Sequence, residues 1–76
     1  MKKLIFKYDP ETDTLNVDAV AACGATFERV ARVLEPNSVN PGLMLPRALG
    51  VEAVRVILEG INLFKVLGEN KFQMEY

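Results

Sequence analysis

A scarcity of residues that crosslink a chain or bind metal ions is what most constrains the fold of this 76-residue sequence. Cys23 is its one cysteine, so no disulfide can form within the chain, and there is no histidine. Structural zinc is held by thiolates and imidazoles, so a zinc-stabilised fold is not expected. A chain of this length buries only about 60% of the surface that its unfolded form exposes. Its stability must therefore come from an apolar core, or from association with another chain.

The composition supplies enough apolar material for such a core. Hydrophobic residues make up 50% of the sequence, and we expect residues 1–76 to form a single domain. Apolar surface that a small core cannot cover tends to be buried against another chain, which favours a homodimer. The sequence has no stretch of about 18 apolar residues and no signal-peptide pattern at its start. With one thiol and no export signal, it predicts a cytoplasmic protein.

Both ends of the sequence have the alternation of β-strands. In residues 2–8, KKLIFKY, positions 4, 6 and 8 point one way and positions 3, 5 and 7 point the other, so that the apolar side chains Leu4, Phe6 and Tyr8 share one side, as in a half-buried strand. Residues 61–67 and 71–76 are separated by GEN, and this pattern predicts a hairpin with a three-residue glycine-containing loop. The apolar side chains of its last strand are expected to face the core.

The middle of the sequence favours helices. Apolar residues recur every three to five positions over residues 15–34, which is typical of a helical face, although a short strand at residues 15–17 is an alternative. Residues 35–42 predict a loop, and residues 47–61 fit a helix better than a strand. The predicted fold class is therefore α+β. A small three-stranded antiparallel sheet, made of the N-terminal strand and the C-terminal hairpin, carries two helices packed on one face.

Catalytic patterns are missing from the sequence. Without histidine there is no Ser-His-Asp or Cys-His couple and no imidazole base. The glycines match neither the phosphate-binding loop nor the dinucleotide fingerprint. Cys23 lies on the apolar stripe of its predicted helix, where a thiol acts as a small hydrophobe. We therefore expect no enzymatic activity, no catalytic residue and no cofactor.

The acidic segment DPETDT imitates the start of a calcium-binding loop. Asp9, Glu11 and Asp13 stand at alternate positions, as the first three oxygen ligands of such a loop do. Thr14 occupies the position where glycine makes the sharp turn, and Val20 replaces the bidentate glutamate. The segment therefore predicts a solvated turn between two elements, and no metal site.

Gly24 raises a second interpretation of the central helix, because it can mark the turn of a helix-turn-helix. Every apolar position that this motif requires around its glycine is filled, and DAVAACGATFERVARVLE, residues 18–35, resembles the DNA-reading unit of the lactose-repressor family. The resemblance implies that five side chains contact DNA, the bases being read by Phe27, Glu28 and Arg29 and the phosphates by Thr26 and Arg32. The same residues also fit one uninterrupted helix.

Charge and composition then rank the possible functions. The net charge is −1, and residues 29–58 hold all four arginines against Glu35 and Glu52, which is mild for a nucleic-acid-binding protein. We therefore predict a non-catalytic protein-interaction or regulatory module that binds a second copy of itself or another protein. The candidate interface residues are the large apolar side chains near the end of the chain, Phe64, Phe72, Met74 and Tyr76. The alternative is a helix-turn-helix DNA-binding regulator that uses residues 18–35.

Overall fold

The structure, a computed structural model, describes residues 3–20 and 27–76. In these residues the chain forms five strands and one helix, which are β1 (Lys3–Asp9), β2 (Thr14–Val20), β3 (Phe27–Leu34), β4 (Gly42–Met44), α1 (Val51–Leu67) and β5 (Lys71–Glu75). The strands form an antiparallel sheet in the order β4-β3-β2-β1-β5. The first four strands follow one another across the sheet, and α1 then leads the chain from the β4 edge back to β5 at the opposite edge.

The α+β class holds, but the predicted sheet of three strands with two helices is wrong. The range predicted as the first helix, residues 15–34, is occupied largely by β2 and β3. Leu15 lies opposite Val33, and Val17 lies opposite Ala31, all four with buried side chains. β-Branched residues pack well on a pleated sheet, and within each strand the two buried residues stand two positions apart, as one face of a strand requires. The alternative of a strand at residues 15–17 is therefore the correct one.

The predicted C-terminal hairpin is also wrong, because residues 61–67 are the last two turns of α1. Its second strand, predicted over residues 71–76, is present as β5. The helix preferred over residues 47–61 is present but shifted, from Val51 to Leu67. β5 pairs with β1, so the strand at the start of the sequence and the strand at its end are neighbours in the sheet. Pairing between strands that are distant in sequence leaves no local periodic signal. The short apolar run INLFKVL, residues 61–67, is compatible with both a helix and a strand.

Glycines mark both ends of α1 and the point where it lies closest to the sheet. Gly50 precedes the first turn in an extended conformation, and Gly68 ends the helix at a φ of 68°, donating its N–H to the carbonyl of Phe64 at 2.9 Å. A Cβ atom on Gly60 would overlap the ring of Phe6 on β1. The absence of a side chain at Gly60 is therefore what lets the helix lie against that ring.

The core lies between α1 and one face of the sheet. Leu4, Phe6, Leu15 and Val17 are fully buried there beneath the apolar side of the helix. The helix contributes the buried residues Ala53, Val56, Ile57, Gly60, Ile61 and Phe64. Aromatic contacts extend this core to the outer strand, since the rings of Phe6 and Phe72 stack with their centroids 4.8 Å apart.

The acidic segment after β1 forms an exposed turn, as the sequence predicts. Asp9 accepts a hydrogen bond from the backbone N–H of Glu11 at 3.0 Å, and Asp13 adopts a φ of 49°. The Tyr8 hydroxyl donates to Asp13 Oδ1 at 2.8 Å. Hydrogen bonds from an aspartate side chain to a nearby backbone N–H, and an aspartate with a left-handed backbone conformation, are typical of tight turns. The aspartates of this segment therefore stabilise the turn that joins β1 to β2.

Candidate functional site

One face of the sheet is packed against α1, and the described part of the chain places no element over the other. We call this second surface the open face. It comprises Lys3, Ile5, Lys7 and Asp9 of β1 and the described residues that share their side of the sheet on neighbouring strands. Its cationic residues are Lys3, Lys7, Arg29, Arg32 and Lys71, against the carboxylates of Asp9, Asp18 and Glu75. The described open face therefore carries an excess of two positive charges on a protein of net charge −1.

A β-bulge puts two arginines side by side on the open face. Residues three apart in a regular strand point to opposite faces, but the register between β2 and β3 shifts at Val30. Arg29 consequently lies opposite Asp18, and Arg32 lies opposite Asn16, two positions along β2 on the same face. The extra residue, Val30, is buried. The bulge therefore adds an apolar side chain to the core and also brings both arginines to the open face.

The two arginines differ in their partners. Arg29 Nε donates to Asp18 Oδ1, and the Asp18 residue is only 7% exposed. Arg32 is exposed and forms no ion pair within residues 3–20 and 27–76. Because guanidinium groups bind carboxylates and phosphates bidentately, Arg32 is the more available of the two for an anionic partner.

A cleft opens beside these arginines, between β3 and the segment that follows β4. Its volume is about 360 Å³, and its described lining consists of Arg29, Arg32, Met44, Leu45 and Pro46. We call it the arginine cleft. This lining combines guanidinium groups with an apolar wall, a combination suited to binding an anionic group.

The second surface is the outer side of β5, which we call the terminal edge. The N–H of Tyr8 donates to the carbonyl of Asn70 at 2.8 Å, just before β5 begins. Along an antiparallel pair, residues that exchange hydrogen bonds alternate with residues that do not. Counting from Asn70, the backbone N–H and C=O groups of Phe72 and Met74 therefore bond to β1. The N–H and C=O groups of Lys71 and every second residue after it therefore point away from the sheet. In the described structure no strand pairs with them.

Side chains on the terminal edge also alternate, residue by residue, between the two faces of the sheet. Lys71, Gln73 and Glu75 are exposed and belong to the open face, whereas Phe72 and Met74 are half-buried on the side of α1. The strand therefore combines unpaired backbone groups, three polar side chains and two apolar ones that the monomer covers only in part.

The residues predicted as a protein interface divide between the core and this edge. Phe64 lies on the sheet-facing side of α1 and is 4% exposed, with its ring centroid 4.9 Å from that of Tyr8 on β1, so it is a core residue. Phe72, Met74 and Tyr76 lie along the terminal edge, partly buried against the core. The structure thus brings three of the four together at one side of the sheet.

The residues predicted to read DNA lie on β3 or outside the described structure. Thr26, Cys23 and the turn around Gly24 fall outside it. Phe27 is the first residue of β3, and Glu28 forms an ion pair with Arg47. The helix-turn-helix interpretation requires a second helix here, whereas Phe27–Leu34 is a strand, so that predicted helix is wrong. Arg29 and Arg32 nevertheless share one exposed surface.

Sequence reasoning missed the bulge, and it did not show which backbone groups of the last strand are left unpaired. A signal for the bulge exists in RVARV, since two apolar residues separate the arginines where strict alternation allows one. The terminal edge has no comparable signal, because it depends on β5 being the last strand of the sheet and on which backbone groups β1 uses.

Two titratable side chains outside these surfaces, Tyr8 and Glu52, have hydrogen-bond partners that shift their pKa values. The hydrogen bond to Asp13, followed by burial and the charges of Asp13 and Asp9, raises the pKa of Tyr8. On the outer side of α1, the hydrogen bond from Arg55 lowers the pKa of Glu52. In the part of the chain that the structure describes, no three carboxylate or thiol groups are placed to hold a metal ion.

Comparison with known proteins identifies no relative from which a function could be inferred. The chain matches no protein-family model, no curated protein and no solved structure. Among the described residues, no helix combines the length and the apolar character needed to cross a lipid bilayer. The terminal edge and the arginine cleft are therefore the two features from which function can be argued.

Proposed function

We propose that this protein is a non-catalytic protein-interaction module that forms a homodimer through the terminal edge. The observation that carries the proposal is the row of outward-pointing N–H and C=O groups on β5. Unpaired edge groups of this kind are a template for another strand, and proteins that remain monomeric usually obstruct them. An edge left available is therefore a natural binding surface.

The two edges of the sheet differ in how well they are obstructed. β4 has only three residues, and the chain after it reaches Pro46, which lacks the N–H that a ladder needs. β5 has five residues, contains no proline and pairs with β1 without a shift in register. The contrast supports β5, and not β4, as the strand that receives a partner.

The size of the chain supports the same proposal. A core this small leaves apolar surface that a partner can cover, and Phe72, Met74 and Tyr76 lie half-buried at the terminal edge. Pairing at β5 would place these side chains in the interior of a larger sheet. The non-catalytic part of the proposal rests on the lining of the arginine cleft and on the lack of imidazole in the sequence.

Gln73→Pro tests the dimer, because proline removes one outward N–H without touching the β1 ladder. We expect sedimentation velocity to show a concentration-dependent dimer for the natural sequence and a monomer for Gln73→Pro. The circular dichroism spectrum should remain unchanged. Gln73→Thr, which keeps the N–H, is the matched control and should dimerise. A natural protein that stays monomeric at high concentration, or a Gln73→Pro variant that dimerises normally, would contradict the proposal.

A DNA-binding regulator remains the second candidate, and the observation that favours it is the pair of arginines on the open face. The contact would now come from a strand, as in proteins that place a β-ribbon in a DNA groove. Phosphate contacts release counterions, so binding should weaken as salt rises. The excess of two positive charges on the described open face is small for this role, which is why it ranks second.

Titration of a labelled random duplex at low and high salt tests this second candidate. Arg32→Gln should weaken binding and reduce the slope of log affinity against log salt by about 1. Lys65→Gln removes the same charge from α1, away from the open face, and should leave the slope unchanged. Absence of binding at low salt and micromolar protein would eliminate DNA as the partner.

A further inference from the structure

We propose that β5 pairs antiparallel with β5 of a second copy in a register centred on Gln73, which joins the two sheets into one continuous sheet. This inference rests on the proposed function, since it specifies the contact that the dimer uses. Antiparallel pairing of identical strands has a twofold axis perpendicular to the sheet. Both copies of α1 would therefore lie on the same face, and the two open faces would form one surface.

Backbone direction limits the possible registers. Lys71, Gln73 and Glu75 point their N–H and C=O groups outward, so each must lie opposite an outward-pointing residue of the partner. With Gln73 opposite Gln73 of the partner subunit, all three residues are paired and about six ladder hydrogen bonds form. Centring the ladder on Phe72 or Met74 leaves one of the three beyond the end of the partner strand, with about four bonds.

Side-chain charge selects the same register. When Gln73 is at the centre, Lys71 lies opposite the partner's Glu75, and the twofold axis repeats this ion pair on the other side. The neighbouring registers place Lys71 or Glu75 opposite glutamine. Opposite charges on paired strand positions stabilise a sheet, and like charges destabilise it. The order Lys-Phe-Gln-Met-Glu is therefore complementary to its own reverse.

Within the described part of the monomer, the charge of Lys71 is not offset by an ion pair. Lys71 lies opposite Lys7 of β1, another cation, and forms no ion pair with any described residue. At the other end of β5, Glu75 Oε1 lies 3.9 Å from Lys3 Nζ, and both side chains are close to half exposed. In the proposed register the partner's Glu75 would stand beside Lys71 and offset its charge.

On the other side of the sheet the same register aligns apolar side chains. Phe72 would lie opposite the partner's Met74, and both residues are half-buried in the monomer. Phe72 already stacks on the buried ring of Phe6, so the added contact would continue the core across the twofold axis. Thioether–aromatic pairs are favourable contacts at such positions.

Charge reversal in two separate chains tests the register. Lys71→Glu places acidic side chains opposite one another in its own dimer, and Glu75→Lys places basic ones opposite one another. Each variant alone should dimerise about tenfold more weakly than the natural protein, because two ion pairs become two repulsions. An equimolar mixture restores both ion pairs, so native mass spectrometry should show the heterodimer as the main dimeric species. Lys65→Glu, on α1, is the control and should dimerise normally.

The outcomes separate the register from the proposed function. If Gln73→Pro abolishes the dimer but the mixed variants pair no better than each variant alone, the terminal edge is the interface and the register is wrong. If Gln73→Pro leaves the dimer intact, both proposals are overturned. Restoration in the mixture alone supports the register, because misfolding of either variant could not be repaired by adding the other.

Discussion

At the scale of single residues, Gly60 shows how a position without a side chain can determine packing. Its Cα lies against the ring of Phe6, which is fully buried on β1. The ring is fixed on its other side by stacking on Phe72. An added methyl group must therefore displace either the ring or the helix.

We expect Gly60→Ala to lower the free energy of unfolding by about 1–3 kcal/mol, the usual cost of overpacking a core. The better helix propensity of alanine offsets only about 1 kcal/mol of that overlap. Urea denaturation followed by circular dichroism measures the change.

Gly50→Ala serves as the matched control, since nothing lies within 4 Å of a Cβ added there. It should alter stability far less. A Gly60→Ala protein as stable as the natural one would show that the helix and Phe6 can separate at no cost.

Because of Tyr8, the stability of the fold is expected to depend on pH in the alkaline range. Its hydroxyl donates to Asp13, and this hydrogen bond raises the pKa of Tyr8 in the folded protein. The unfolded value is about 10, so the contribution to stability is fully present below that pH. It is lost as the pH rises through the higher folded pKa.

We therefore expect the natural protein to lose more stability above about pH 10 than Tyr8→Phe, which has no proton to release. Chemical denaturation of both proteins at a series of alkaline pH values measures the difference. Parallel stability curves for the two proteins would rule out this role for Tyr8.

At the scale of elements, β3 shows why a periodic pattern can mislead. Its bulge at Val30 inserts one residue into the alternation, so apolar positions fall three or four apart, as they do on a helix. The same bulge brings Arg29 and Arg32 to one face. The ion pair between Arg29 and the nearly buried Asp18 holds β2 and β3 together at that point.

Asp18→Ala should lower the free energy of unfolding by about 1–3 kcal/mol, because a charge-assisted hydrogen bond in a nearly buried position is lost. Glu52→Ala removes the carboxylate of a fully exposed pair with Arg55 and should have little effect. Thermal and urea denaturation of both variants provide the comparison. Equal effects would mean that burial adds nothing to the Asp18 pair.

The elements differ in how far the sequence could predict them. β1, β5 and most of α1 could be predicted, since alternation and helical spacing are local signals that follow from one face being buried. The sequence misled at β2 and β3, and the last turns of α1 were taken for a strand. Those short apolar runs are compatible with both structures until their neighbours are known.

At the scale of the whole molecule, the proposed dimer links stability to concentration. A partner that binds only the folded state stabilises that state by mass action. We expect the melting temperature to rise by several degrees for each tenfold increase in protein concentration, as for a small domain. Scanning calorimetry over a range of concentrations tests this. Gln73→Pro should melt at one temperature throughout, and a concentration-independent natural protein would argue against a dimer at the working range.

The sequence by itself determined that the chain has no internal disulfide, that it needs an apolar core, and that its first strand alternates. These properties depend on composition and on neighbouring residues. Only the tertiary structure decided that residues 61–67 are helical, so that of the predicted hairpin only β5 pairs with β1, that the outer backbone groups of β5 are unpaired, and that two arginines share the open face. The physical reason is that strand pairing joins residues far apart in the chain, and one residue of shift in register turns a side chain to the other face.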